Sequence, residues 1–287
     1  MPDVAPEPLY AVSALSLPRN SFAEDVAQIS ATGGAGVGLW EGKLPPGRDE
    51  DSVSRLAEAG LTATLCLPGV WSILPNIRFS DPPDPDDRVE LICRSVERLA
   101  AFTPVAVMVT PGGPTDRSDA DTYDIIVSGL RRITEAAGKI GVRVALEPIR
   151  KSSDGFVESF GRALQVIDDV GLDGLGIALD IWHTWDDPEL LPNIAAHTGA
   201  IYGVQLNDWR EPTRVRSDRV LPGDGVADVP RILAALVRAG YTGWYELEVM
   251  SDESLDGSLW SVPHEELLRT AAQRFDAVWH AALEQLR

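Results

Sequence analysis

The sequence is poor in several residue types, and each shortage excludes something. It has two cysteines, Cys66 and Cys93, each in an apolar segment, so they read as buried free thiols and no disulfide framework is implied. Lysine occurs only at Lys43, Lys139 and Lys151, and 25 Lys+Arg face 44 Asp+Glu for a net charge of -19. A nucleic-acid groove needs clustered cations to displace counterions, so that balance argues against one, and equally against an anionic membrane surface. No apolar run approaches the ~20 residues of a spanning helix. The first residues lack the basic-then-apolar order of a signal peptide, so a cytoplasmic location is expected. The first strand–helix turn has no Gly-rich phosphate fingerprint, which weighs against a doubly wound dinucleotide fold.

What remains is an ordinary globular composition, 44% hydrophobic and 24% charged, able to bury a sizeable core. After a Pro-rich leader of about residues 1–9, strand-like and helix-like segments alternate. Strands are expected at Tyr10–Leu15, Gly36–Trp40, Thr62–Leu67, Val105–Thr110, Val142–Glu147, Gly176–Asp180, Ile201–Asn207 and Trp244–Val249. Helices are expected from the capping box Ser21-Phe-Ala-Glu24 to about Thr32, then near Ser52–Ala59, Val89–Ala101, Asp119–Ala137 and Phe160–Asp169. A short one starts at Pro188 with Asp187 as its cap, another runs from Asp228-Val-Pro230 to Gly240, and a closing helix covers about residues 263–286. The long loop from Pro68 to Asp87 is of a length that is often functional. Eight strand–helix units without a composition break fit one (β/α)8 TIM barrel domain over residues 1–287.

In such a barrel alternate strand residues point inward, and chemistry sits at the carboxyl ends. The last four strands agree on a parity. Ala145 and Glu147, Ala178 and Asp180, Gly203, Gln205 and Asn207, and Glu246 and Glu248 form the small or polar set expected to face the axis. Val144 and Leu146, Ile177 and Leu179, Tyr202, Val204 and Leu206, and Tyr245, Leu247 and Val249 form the bulky set expected to face the helices.

Inward carboxylates are strongly disfavoured unless paired or bound to a cation. Glu147, Asp180 and Glu248 converging on one mouth would repel each other, and a divalent cation is the simplest remedy. With Gln205 they make an oxygen-rich set suited to Mn²⁺ or Mg²⁺; were His183 also a ligand, Co²⁺, Zn²⁺ or Fe²⁺ would fit better. Glu246, one layer deeper, reads as structural and paired with Arg143. His197, His264 and His280 read as ordinary surface residues. Among Arg210, Arg214, Arg216 and Arg219, Arg219 is the preferred partner for a substrate's oxygens, and Arg210 is a second candidate. Trp40, Trp71, Trp182, Trp185 and Trp209 fall at or just after strand ends. They are expected either to pack under loops or to offer flat faces to a sugar or aromatic group larger than a triose.

The motifs Ala-Leu-Glu147-Pro, Leu-Asp180-Ile-Trp-His183, Gln205-Leu-Asn-Asp208, Leu-Pro-Gly-Asp-Gly225 and Gly240-Tyr-Thr-Gly-Trp-Tyr-Glu-Leu-Glu248 occur in this order over nearly the whole chain. Together they resemble the xylose isomerase-like barrels, the sugar phosphate isomerase/epimerase group. The resemblance implies that Glu147, Asp180, Gln205 and Glu248 bind one divalent metal and that His183 contacts substrate. It also implies that the two glutamates act as acid and base on either side of a ketose. Many epimerases have histidine at the position of Gln205; members resembling hydroxypyruvate isomerase carry glutamine there. The basic loop of that enzyme is not evident here.

The implied activity is isomerisation or epimerisation of a keto-sugar or related polyol by metal-assisted enolisation. Asn207, Trp40, Trp71 and Trp182 are further candidates for substrate contact. The alternative is a metal-dependent lyase or dehydratase that eliminates a leaving group β to the carbonyl of a keto-sugar, keto-inositol or keto-glycoside, including C-glycoside cleavage. An abasic-site endonuclease on a related barrel needs a His-rich multi-metal cluster and a basic face, and four histidines with a charge of -19 argue against it. The expected partner is a small sugar or glycoside, with no nucleic acid and no membrane. Association into a homo-oligomer or with a partner subunit is left open.

Overall fold

The computed structural model describes residues 7–76, 80–113, 116–150 and 155–287. Most of the Pro-rich leader, the middle of the long loop and Pro114 of the Pro-Gly-Gly-Pro turn therefore lie outside the described residues. Eleven strands and nine helices alternate among the described residues: β1 Leu9–Ser13, α1 Phe22–Ala31, β2 Gly36–Gly38, α2 Asp49–Glu58, β3 Thr62–Ala63, β4 Leu65–Cys66, α3 Pro85–Leu99, β5 Ala106–Val109 and α4 Asp119–Gly138, then β6 Val144–Leu146, α5 Phe160–Val170, β7 Leu175–Asp180, α6 Ile181–Thr184, α7 Leu190–His197, β8 Ile201–Leu206, β9 Asp208–Trp209, β10 Arg219–Val220, α8 Val229–Arg238, β11 Trp244–Leu247 and α9 His264–Glu284.

Nine of these strands form one parallel sheet in the order β3-β2-β1-β11-β8-β7-β6-β5-β4. Its two ends are consecutive in the chain. Between them Thr64 donates its N–H to Val37 O (2.9 Å), and its carbonyl accepts from Ala106 N (3.3 Å), so β3 and β4 are two halves of one strand and the ring closes there. The chain is a (β/α)8 TIM barrel. Local signals place the helices: Ser21 and Glu24 form a reciprocal capping box on α1, Asp84 caps α3 with Pro85 at its first turn, and Gly171 ends α5 in the left-handed region at φ 66°.

Buried apolar side chains separate into two clusters, as the strand parity requires. Val144, Leu146, Ile177, Leu179, Val204, Leu206, Tyr245 and Leu247 join the helix side chains in the large outer core. Leu65, Leu67, Ala106, Met108, Ala145 and Ala178 fill the barrel interior with Trp71. Glycine appears where an interior side chain needs the room: a Cβ on Gly38 would lie 2.4 Å from Glu246 Oε1.

Four expectations are corrected. Tyr202 packs against the interior cluster, because a register shift at Ile177/Ala178 displaces it from the outward face of β8. Glu246 does not pair with Arg143. Its carboxylate accepts from Thr64 Oγ1 and from Leu65 N (3.3 Å), while Arg143, just before β6, lies over the Tyr202 ring (4.5 Å) and donates to Val105 O (3.0 Å). His264 is buried and its Nδ1 lies 2.6 Å from Asn20 Oδ1, whereas His197 and His280 are exposed. The helix expected at Pro188 begins at Leu190, and Asp187 instead accepts the N–H of Glu189 (2.9 Å).

Candidate active site

Each acidic side chain owes its place to a strand end. Glu147 directly follows β6, with its N–H bonded to Val109 O at 3.0 Å; Asp180 is the last residue of β7; Glu248 directly follows β11, with its N–H bonded to Leu206 O at 3.0 Å. Asp180 also caps the short helix α6, accepting Trp182 N–H on Oδ1 at 2.9 Å. That single turn carries His183 back over the strand ends, with Nε2 3.7 Å from Glu147 Oε1 and 3.8 Å from Asp180 Oδ2. Arg219 comes from the β9–β10 hairpin, where it pairs with Trp209. It reaches Asp180 Oδ2 at 2.7 Å and Glu248 Oε2 at 2.5 Å.

Two uncharged side chains complete the frame. Asn207 Nδ2 donates to Asp180 Oδ1 (2.7 Å) and to the Glu248 carbonyl (3.2 Å). Ser13 Oγ, at the end of β1, donates to Glu248 Oε1 at 3.3 Å. All of these groups are buried. Burial pushes the Glu147 carboxyl well above the usual range, and the neighbouring charges of Glu248 and Asp180 push the same way. Burial also raises Glu248, with Arg219 opposing. For Arg219 burial works against the charge, but Asp180, Glu248 and Glu147 outweigh it and hold the guanidinium protonated.

The imidazole of His183 is driven down to about 3 by burial, which the Asp180 charge opposes and the Arg219 and Arg150 charges reinforce, so it is neutral. Its Nδ1 accepts the main-chain N–H of Arg150 at 3.3 Å. A neutral ring that accepts at Nδ1 carries its proton on Nε2, the nitrogen that faces the carboxylates.

Glu147, Asp180 and His183 each place one potential ligand atom within 4.8 Å of the others, a group able to hold a metal ion. Charge and hydrogen bonding both fit a divalent cation. Three buried carboxyl groups face the single guanidinium of Arg219, and the raised carboxyls of Glu147 and Glu248 reflect acid groups crowded together without enough positive charge, which a divalent cation would supply. Gln205 is fully buried on β8, and neither its Oε1 nor its Nε2 has a hydrogen-bond partner, an expensive state for an amide unless another group completes it.

Above these groups opens a cleft lined by Glu147, His183, Arg219 and Glu248 on one side and by Leu15, Leu67, Trp71 and Met108 on the other. Not every expected residue reaches it. Asp180, Gln205 and Asn207 lie wholly beneath its surface. Trp182 packs at a tilt on Trp209 (centroids 4.6 Å apart, planes at 40°) under the cations of Arg150 and Arg219. Trp185 packs on Trp209 as well, and Trp40 meets Trp71 edge-on at 6.2 Å. Arg210 shares Asp218 with Arg214 outside the cleft. The contributions of Ser13 and of the Arg150 N–H carried no motif, although Ser13 sits at an inward strand end like the acids.

The fold and these side chains define a parallel barrel with an acidic centre at the carboxyl ends of its strands. The chain belongs to the xylose isomerase-like TIM barrel family, whose model matches residues 26–278. It is similar to inosose isomerase from Halalkalibacterium halodurans, 29% identical over 149 residues that cover 50% of this chain and 51% of that protein. It is also similar to 3-dehydroshikimate dehydratase from Pseudomonas putida, 28% identical over 141 residues covering 45% of this chain and 21% of that protein. The match thus spans about half the length of the first relative and about a fifth of the second. Two solved structures share the fold: protein SMc04130 from Sinorhizobium meliloti (TM-score 0.82, 24% identity, 94% of this chain and 98% of that one) and the IOLI protein with a bound zinc atom (TM-score 0.77, 19% identity, 94% and 97%). No helix among the described residues is long and apolar enough to cross a membrane.

Proposed function

We propose that this chain is a divalent-metal-dependent isomerase or epimerase of a keto-sugar or related polyol. The observation that carries the reading is the pair Glu147 and Glu248, buried at the ends of two well-separated strands, each with its carboxyl raised and both lining one cleft. A carboxylate whose conjugate acid is favoured is suited to take a proton from carbon and to hand it back.

Glu147, Asp180, Gln205 and Glu248 would hold the cation, Mn²⁺ or Mg²⁺ by the preponderance of oxygen donors. When bound, such a cation draws electron density from a carbonyl and makes the neighbouring C–H more acidic. One glutamate then takes that proton onto a carboxylate oxygen. The other, protonated, returns one to the adjacent carbon for isomerisation or to the opposite face of the same carbon for epimerisation. His183, with its proton on Nε2, donates to a substrate oxygen, as does Arg219 when it shares its donors between Glu248 and the ligand. Asn207 holds Asp180 and the main chain of Glu248 in register, and the buried position of the centre excludes water that would compete for the proton.

Elimination is the second reading, favoured by the match to a dehydratase. It uses the same first proton transfer, and the second acid protonates a departing oxygen instead.

The test is proton exchange. Metal-loaded protein is incubated with keto-sugars and keto-glycosides in D₂O, and deuterium at the carbon next to the carbonyl is followed by NMR. Exchange with a new isomer supports the first reading, and exchange with an alkene or a released group supports the second. No exchange across the panel, or full exchange by Glu248→Gln, overturns both.

A further inference from the structure

The cleft is not polar all round, and the division follows the barrel. Every ionisable group comes from β6 onward. The lining from the first half of the chain is mainly apolar, Leu15, Leu67, Trp71 and Met108 with Asn76 and Thr110 beside them, and its apolar part continues into the interior cluster of Leu65, Ala106, Ala145 and Ala178. Two more apolar side chains stand over the acids themselves: Ile149 and Met250 lie two residues beyond Glu147 and Glu248 and line the same cleft. Leu15, Ile149 and Met250 keep part of their surface exposed there, so they are not wholly consumed by packing.

The wall is also built to stay in place. Thr110 N donates to Trp71 O at 2.8 Å, and Ile73 N donates to Thr110 O at 3.2 Å, pinning the segment to the end of β5. Next to Trp71, Ser72 receives two hydrogen bonds from the buried guanidinium of Arg88, at 2.8 and 2.7 Å. A free polyol carries a hydroxyl on nearly every carbon, and those pressed against the six apolar side chains would lose water, with Asn76 and Thr110 the polar side chains on the first-half wall to replace it. A flat apolar substituent loses nothing by the same burial and gains from it.

We propose that the ligand of this cleft is a keto-glycoside bearing an aryl aglycone, with its sugar on the acidic side and its ring against Trp71, Met108 and Met250. This rests on the reading of the cleft as a keto-sugar site and names the substrate class for it. The two methionines suit aryl groups of varied outline, since an unbranched thioether repacks more readily than a branched side chain.

The experiment titrates Mn²⁺-loaded protein by calorimetry with matched phenyl and methyl β-glycosides of glucose, galactose and xylose, which lack the ketone and so do not turn over. At least one phenyl glycoside is expected to bind about tenfold or more tighter than its methyl partner. Trp71→Ala, or Met250→Ser should the first variant fold poorly, is expected to bring that ratio close to one. Equal affinities within every pair, or no binding by any member, overturns the proposal. Proton exchange on the corresponding 3-keto sugars separates this from the reading beneath it. Aryl preference without exchange sinks the enolisation and leaves the aryl site standing, while exchange without aryl preference does the reverse.

Discussion

The main-chain N–H of Arg150 donates to Nδ1 of His183, and this bond makes the nitrogen that faces Glu147 and Asp180 a donor. A protonated nitrogen cannot give a lone pair to a metal, so proximity alone overstates His183 as a ligand. His183→Ala is expected to lower turnover by roughly 100-fold while Mn²⁺ affinity, read by electron paramagnetic resonance, changes by less than about threefold. A loss of metal affinity as large as the loss of turnover would return His183 to the ligand set.

Glu246 offers a pH test below the cleft. Burial raises its carboxyl from an ordinary 4.5 to about 8, opposed by the bond from Thr64. The folded protein therefore holds this proton across a window in which the unfolded chain releases it. The contribution to stability is full below about 4.5 and drains away as pH rises through about 8. Glu246→Gln stays neutral throughout and should gain on the wild type by an amount on the order of a few kcal/mol between pH 5 and pH 8. Urea unfolding of chelator-treated protein at the two pH values measures it, and an unchanged difference between the proteins would show that Glu246 is not protonated in the folded state.

Arg88 is a fully buried cation that donates to uncharged oxygens: Ser72 O and Oγ, Asp81 O (3.2 Å) and Pro82 O (3.0 Å). Its planar fork satisfies four acceptors at once, which a lysine ammonium cannot match in geometry. Arg88→Met is expected to cost about 3 kcal/mol in urea unfolding, since it strands several buried acceptors, and Arg88→Lys to recover less than half of that. Near wild-type stability in Arg88→Lys would mean that the charge matters more than the fork.

Asp208 organises the loop that carries Arg219 inward. Its two carboxylate oxygens accept four main-chain N–H groups, from Trp209 (2.7 Å), Ala227 (2.9 Å), Gly223 (2.9 Å) and Gly225 (3.0 Å). A Cβ on Gly225 would sit 2.3 Å from Asp208 Oδ1, so the close approach needs glycine. Asp208→Asn turns an amide N–H toward other donors and is expected to cost about 2–4 kcal/mol, with faster proteolytic cleavage around residues 221–227. An equally resistant loop in the variant would show that the carboxylate is dispensable.

Much of this was readable from the chain. Bulky apolar residues alternate with small or polar ones along Val144–Glu147, Ile177–Asp180, Val204–Gln205 and Tyr245–Glu248, and a period of two leaves one choice of which side faces the helices. The barrel and the burial of the four polar strand-end residues follow from that. Tyr202 escaped the pattern because the register shift beside it is a property of strand pairing, invisible in either strand alone. The tryptophans could be placed near the mouth but not divided. Trp182, Trp185 and Trp209 are taken up by one another and by Arg150, and only Trp71 of the five lines the cleft.

Sequence alone determined the fold and the side of each strand on which the acids lie, because periodicity and caps act within a few residues. Tertiary structure decided which charges meet. Four arginines follow Asn207 in one loop with nothing local to rank them geometrically. Asp218 takes Arg210 and Arg214, and the hairpin with Trp209 turns Arg219 in between Asp180 and Glu248. Those neighbours are brought together only when the ring of strands closes, and Coulomb's law acts on distance in space rather than along the chain.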